Sequence, residues 1–168
     1  RMDAFWTKFA ASNPFGLVKD SRYLNWRYCN HPSIAYHITL AEDGGQIAGC
    51  LVMRHKGLRS EIAELISLPE NPNIQTLLLE AAIEQARSAG NILLSTWANA
   101  QHPGFALLRQ AGFSTPTNLF KLAGSVPALA RQLYQVIAFT EHLTQEQQDY
   151  LRCQMQASSF SMGDSDLV

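Results

Sequence analysis

Hydrophobic and polar positions change their period along the chain, and the changes mark elements. Residues 4–11 (AFWTKFAA) suit a short helix, which Asn13-Pro14 ends, because the residue before a proline is pushed out of the helical region. A short strand is expected at 15–18. Residues 21–29 (SRYLNWRYC) read as a helix, with Ser21 as N-cap and with Tyr23, Trp26 and Cys29 near one face. His31-Pro32 closes it. Residues 35–42 (AYHITLAE) and 46–55 (QIAGCLVMRH) are rich in strand formers and flank Asp43-Gly44-Gly45, a hairpin signal. Lys56-Gly57 begins another turn, and 60–67 (SEIAELIS) reads as a third strand. Its alternation is imperfect, since a regular strand would send Ile62 and Leu65 to opposite sides.

A long helix is predicted over 72–89. Asn71 suits the N-cap and Pro72 the first helical position. Ile74, Leu77, Leu78, Ala81 and Ala82 recur at helical spacing, and Gly90 supplies the stop. A strand at 91–97, a helix at 103–111 stopped by Gly112, and a strand at 118–123 follow. In the tail, 125–134 suits a helix, 134–139 a strand, 145–153 a helix opened by a Thr144/Gln147 capping box, and 158–162 a last strand. Antiparallel hairpins followed by β-α-β units, which require a parallel pair, define a mixed α/β sheet with helices on its faces.

Size and charge narrow the picture. The 168 residues suit one domain with a sizeable core, so 1–168 is read as a single domain. Charged residues are only 16% against 46% hydrophobic, which fits either a large core or a surface partly covered by a second domain or a partner chain, including a homo-oligomer. A net charge of −1 without a Lys/Arg run gives no nucleic-acid footprint. No apolar stretch approaches the ~20 residues of a membrane span. Three dispersed cysteines without a CxxC read as reduced and intracellular, hence cytoplasmic. Each is read as a small buried apolar residue rather than a nucleophile. The five histidines show no ligand spacing, and no metal is expected.

The order of elements over residues 15–124 resembles the GNAT (N-acetyltransferase) superfamily. AGCLVMRH (48–55) is similar to that family's glycine-bearing strand, and NAQHPGFALLRQAGF (99–113) to its Asn that precedes a helix ending in Gly-Phe. Tyr23-Leu24-x-Trp26-Arg27-Tyr28 with His31-Pro32, and Gly163-Asp164-Ser165-Asp166, resemble a bacterial subgroup of GNAT-like proteins, in which this unit is often the second half of a longer chain. The resemblance implies an acyl-CoA-dependent N-acyltransferase. Its cofactor would be acetyl-CoA or another acyl-CoA, and its acceptor a small-molecule amine or a protein amine.

The resemblance also implies site residues. A Glu on the central strand would take a proton from the amine; Glu61 and Glu64 lie there, three apart and so on opposite faces of a regular strand. At most one can serve, and Glu64 is nearer the centre. Tyr134 is the candidate acid for the departing thiolate, since Phe105, standing where many members carry Tyr, has no hydroxyl. Ile66 and Leu68 would pair with the pantetheine amides through their backbones, and Asn99 would bond the same arm, its alternative being a loop or capping residue before Pro103. The family's Gly-rich pyrophosphate loop is replaced by Leu68-Pro69-Glu70-Asn71-Pro72-Asn73, which has no glycine. Pro69 and Pro72 each remove an N–H donor, Glu70 adds a negative charge, and Asn73, Ile74 and Gln75 keep their amides for an anion.

Trp26, Arg27 and Tyr28 either line a substrate cleft or pack a helix on the sheet. Two functions stand side by side: the N-acyltransferase, and a catalytically inactive GNAT-like binding or scaffolding domain. A differently wired α/β domain without acyl chemistry is the third. A splay between the strands near 62–68 and 91–97 would separate the first two from it, because the family inserts its cofactor there.

Overall fold

The computed structural model describes residues 1–12, 18–98, 104–114 and 144–146, and the backbone of 134–138. Five strands form one mixed sheet in the order β1-β2-β3-β4-β5: β1 Tyr36–Asp43, β2 Gln46–Lys56, β3 Arg59–Ser67, β4 Leu93–Trp97 and β5 Tyr134–Ala138. The first three are antiparallel neighbours, β3 and β4 are parallel, and β4 and β5 are antiparallel. Among the described residues the helices α1 Met2–Ser12, α2 Ser21–Leu24, α3 Pro72–Ser88 and α4 Phe105–Gln110 accompany them. α2 continues as a π-helical turn over Asn25–Cys29.

The β1–β2 hairpin closes at Gly44 and Gly45, whose φ angles of 55° and 76° are those a two-residue hairpin turn requires. α3 starts at Pro72 with Asn71 at the N-cap position, as expected, but the Asn71 side chain makes no capping bond; its amide donates to Asp43 Oδ2 at 2.9 Å. Asp20, not Ser21, caps α2, accepting from the Tyr23 N–H at 2.8 Å. The reason is that Ser21 already lies within the helix, where its own N–H donates to Asp3 Oδ1. The helix expected at 103–111 starts at Phe105, and Gly112, at φ 92°, stops it. The predicted strands at 15–18 (apart from Val18, which is irregular) and 118–123, the helix at 125–134, and the strand at 158–162 lie outside the described residues, as does most of the predicted helix at 145–153.

Two cores form, one on each face of the sheet. Under α3 and α4, Leu51, Met53, Ile62, Leu65 and Leu94 pack against Leu78, Leu79, Ala82, Leu108 and Phe113. Burying each Leu or Phe contributes about 1.5–3 kcal/mol. Under α1 and α2, Cys50, Val52 and Ile66 pack against Phe5, Leu24 and Tyr28. α3 comes so close to β2 that a Cβ on Gly49 would stand 2.6 Å from Ile74 Cγ2 and 2.7 Å from Leu78 Cδ1. The glycine of the AGCLVMRH stretch is therefore a packing glycine.

Ile62 and Leu65 both enter the α3 core, against the expectation of opposite sides. The cause is a β-bulge: Val52 pairs with Glu64 and Met53 with Ile62, which leaves Ala63 without a partner on β2. An extra residue shifts the alternation by one.

Candidate active site

That bulge also corrects the reading of the two carboxylates. Glu61 pairs with Arg54 and Glu64 with Val52, and Arg54 and Val52 share a face, so Glu61 and Glu64 lie on the same face, toward α1 and α2. Their surroundings separate them. Glu61 is held between Arg54 Nε and Arg59 Nη2, each at 2.5 Å, in an ion triad whose side chains are only 10–14% exposed. Glu64, 9% exposed, receives the Tyr28 hydroxyl on Oε1 at 2.7 Å and the Lys19 ammonium on Oε2 at 2.5 Å. Burial, with the Glu64 charge beside it, holds the Tyr28 phenol well above the ordinary tyrosine range. The buried Cys50 thiol is pushed up to about 12 by the same two causes.

Glu64 stands where the sheet opens. The β3–β4 ladder runs from Arg59/Leu93 to Ile62/Thr96, and there Thr96 Oγ1 donates to Ile62 O at 3.2 Å. β3 continues to Ser67 without a β4 partner among the described residues. β4 itself ends at Trp97, one residue past that pair, so among the described residues β3 runs on without it from Ala63 to Ser67, and this open edge beginning at Ile62 is the fork of the site. The Leu68 N–H is given to Ala48 O at 2.9 Å, and Cys50 faces Ile66 across the antiparallel ladder. Alternation then turns the N–H and C=O of Ile66 to β2 and those of Leu65 and Ser67 to the fork. Two buried or half-buried residues offering backbone groups there suit an extended chain laid between the strands.

The loop beyond the fork is built differently. Asn71 N–H donates to Leu68 O and Ile74 N–H to Asn71 O at 3.1 Å, so the Ile74 amide is spent inside the loop. Pro69 and Pro72 carry no N–H. Asn73 is exposed in the first turn of α3, Gln75 is half-buried, and Glu70 is exposed. A pyrophosphate finds few amides at the loop.

The remaining predicted positions are scattered. Phe105 is half-buried at the start of α4 and packs against the α3 core. Asn99 lies outside the described residues. Tyr134 opens β5 opposite Trp97, at the fork end of β4. Of Trp26-Arg27-Tyr28, Tyr28 packs under the sheet, Arg27 lies over its ring at 5.9 Å, and Trp26 is 68% exposed. An open groove of about 670 Å³, lined by Tyr28, His31, Ser33, Tyr36 and Ile38 among others, reaches the same tyrosine. Sequence reasoning missed Lys19. It sits 45 positions from Glu64 in an irregular stretch, and only the fold brings them together. On the other face His55 Nδ1 lies 2.7 Å from Ser60 Oγ and 3.0 Å from Asn91 Oδ1, but Ser60 is fully buried and serves packing. Among the described residues no group of three His, Cys, Asp or Glu is placed to hold a metal, and no helix is long and apolar enough to cross a membrane.

Solved structures share this architecture. PaiA N-acetyltransferase from Thermoplasma acidophilum, in complex with coenzyme A, superposes with a TM-score of 0.55 at 12% identity over 82% of this chain and 88% of its own. Tetrahymena GCN5 gives 0.56 at 12% identity, over 83% and 86%. The ribosomal-protein-S18-alanine N-acetyltransferase from Escherichia coli gives 0.51 at 16% identity, over 69% and 78%. The chain has the GNAT fold. No family model and no curated protein matches the sequence. The mixed sheet, antiparallel then parallel, is the fold expected from the order of elements. Within the GNAT fold, Glu64, Lys19 and Tyr28 cluster beside the fork.

Proposed function

We propose that the chain is an acyl-CoA-dependent N-acyltransferase acting on a small-molecule or protein amine. The observation that carries this is the fork: β3 runs on from Ile62 to Ser67, past the end of β4 at Trp97, with no β4 partner among the described residues. Leu65 and Ser67 would hold the pantetheine arm of acetyl-CoA or another acyl-CoA through their backbones, and Asn73 and Gln75 would meet its phosphates. The bound thioester supplies the acyl group. Glu64 receives the amine proton, oriented by Tyr28, whose own hydroxyl stays protonated and donating. Tyr134, across β4 from the fork, is proposed to protonate the departing thiolate. The acceptor enters by the groove that Tyr28 lines.

A second reading, a GNAT-fold binding domain without turnover, is favoured by one feature, the proline-bearing loop whose Ile74 amide is already used. Calorimetry with acetyl-CoA, and with coenzyme A as control, tests the proposal. Micromolar binding supports the transferase. No heat at millimolar acetyl-CoA eliminates acetyl-CoA as the donor, and no heat with longer acyl-CoAs as well eliminates the transferase in favour of the binding domain.

A further inference from the structure

Lys19 Nζ lies 2.5 Å from Glu64 Oε2, with Tyr28 fixing the other carboxylate oxygen. This is the contact an acceptor ammonium has to make with its base. We infer that Lys19 is itself an acyl acceptor, so that the chain acylates its own Nε at this position. The inference rests on the transferase reading of the same site. Three observations point to Lys19 rather than to another amine. A lysine can lose its proton to a neighbouring carboxylate, as an arginine in the same place could not. Its side chain is 25% exposed, so it lies between the 9%-exposed carboxylate and solvent. It belongs to the irregular stretch 18–20 before α2, outside any helix or strand, and its Nζ meets Glu64 beyond the last β3–β4 pair.

The step balances without a further reactant. Of the three ammonium protons of Lys19, one passes to Glu64 and then to water. The freed lone pair forms the C–N bond to the thioester carbonyl carbon as the C–S bond breaks. A second proton goes to the departing thiolate, and the third stays on the new amide. One acetyl-CoA is consumed, and one coenzyme A and one proton are released.

The full chain is incubated with acetyl-CoA and analysed by intact mass and peptide mapping. The expected result is one acetyl group on Lys19, with the exposed Lys8 and Lys56 unmodified over the same time. Glu64→Gln should slow labelling at Lys19 about a hundredfold, the usual worth of a positioned base. Lys19→Arg keeps the cation, guards against a fold-breaking change at Glu64, and should abolish the label while acetyl-CoA still binds. Labelling of Lys19 at the rate of Lys8 and Lys56, or at an unchanged rate in Glu64→Gln, is ordinary chemical acylation and overturns the inference. Acetyl-CoA binding with Lys19 left unmodified overturns it too, but leaves the transferase standing. Failure of acetyl-CoA and of longer acyl-CoAs to bind removes both.

Discussion

Removing the Tyr28 hydroxyl probes how the site is built. Tyr28→Phe keeps the ring, which is 5% exposed and packed edge-on against Tyr36 at 4.9 Å, and deletes only the donor to Glu64 Oε1. The carboxylate is 9% exposed, so water cannot fully replace the lost bond. A hydrogen bond to a buried charged group contributes about 1.5–3 kcal/mol. Lys19 still satisfies the other oxygen, which places the expected loss near the middle, about 2 kcal/mol. For a chain of this length that is a fall in Tm of about 4–8 °C. Urea denaturation should show a lower midpoint with an unchanged slope, since the exposed surface is the same. A double-mutant cycle with Glu64→Ala should return a coupling of about 1.5–3 kcal/mol, because the two groups touch. A loss below about 0.5 kcal/mol, the range of ordinary surface changes, or a coupling of zero, would refute the bond and with it the orientation of Glu64.

Other consequences are measurable. Gly49→Ala drives a methyl into Ile74 Cγ2 and Leu78 Cδ1 and should cost about 1–3 kcal/mol in urea denaturation. Glu61→Gln leaves Arg54 and Arg59 facing each other; breaking a fully buried pair costs about 3–5 kcal/mol, and with 10–14% exposure about 2–3 is expected by the same assay. Stability should fall as pH rises from 9.0 towards about 12, because the buried Cys50 thiol is raised across that range and ionises more readily in the unfolded chain. Alkaline titration of Cys50→Ala, followed by circular dichroism, should show a shallower slope that begins only near pH 10.0, where the raised Tyr28 phenol acts in the same direction. At neutral pH a thiol reagent should label exposed Cys29 and spare Cys50.

Much of the fold was legible because its signals are local. The Gly44-Gly45 hairpin, the Pro72 start of α3 and its Gly90 stop each depend on a few adjacent residues. The parallel β3–β4 pair followed from a long helix between two strands. What was not legible depends on cross-strand register or distance. The bulge at Ala63 left only a trace, the broken alternation of Ile62 and Leu65, and that trace was enough to misplace Glu61 and Glu64 relative to each other. Which carboxylate is free of arginine depended on Arg54 and Arg59, two neighbours set by pairing. Lys19 and Tyr28 meet Glu64 only after α2 packs on the sheet. The glycine-free loop could be read directly, but not that its Ile74 amide would be turned inward.

Ser67→Pro probes the open edge of β3 as the seat of the acyl donor. The Ser67 N–H faces the fork and takes no part in the β2 ladder, so proline removes a donor from the site while sparing the sheet. Calorimetric titration of both proteins with acetyl-CoA should show micromolar binding to the parent chain and about tenfold weaker binding to Ser67→Pro, the worth of one hydrogen bond of about 1.4 kcal/mol. Equal affinities in a variant that keeps its circular dichroism, or no binding to either, would contradict an acyl donor lying between β3 and β4.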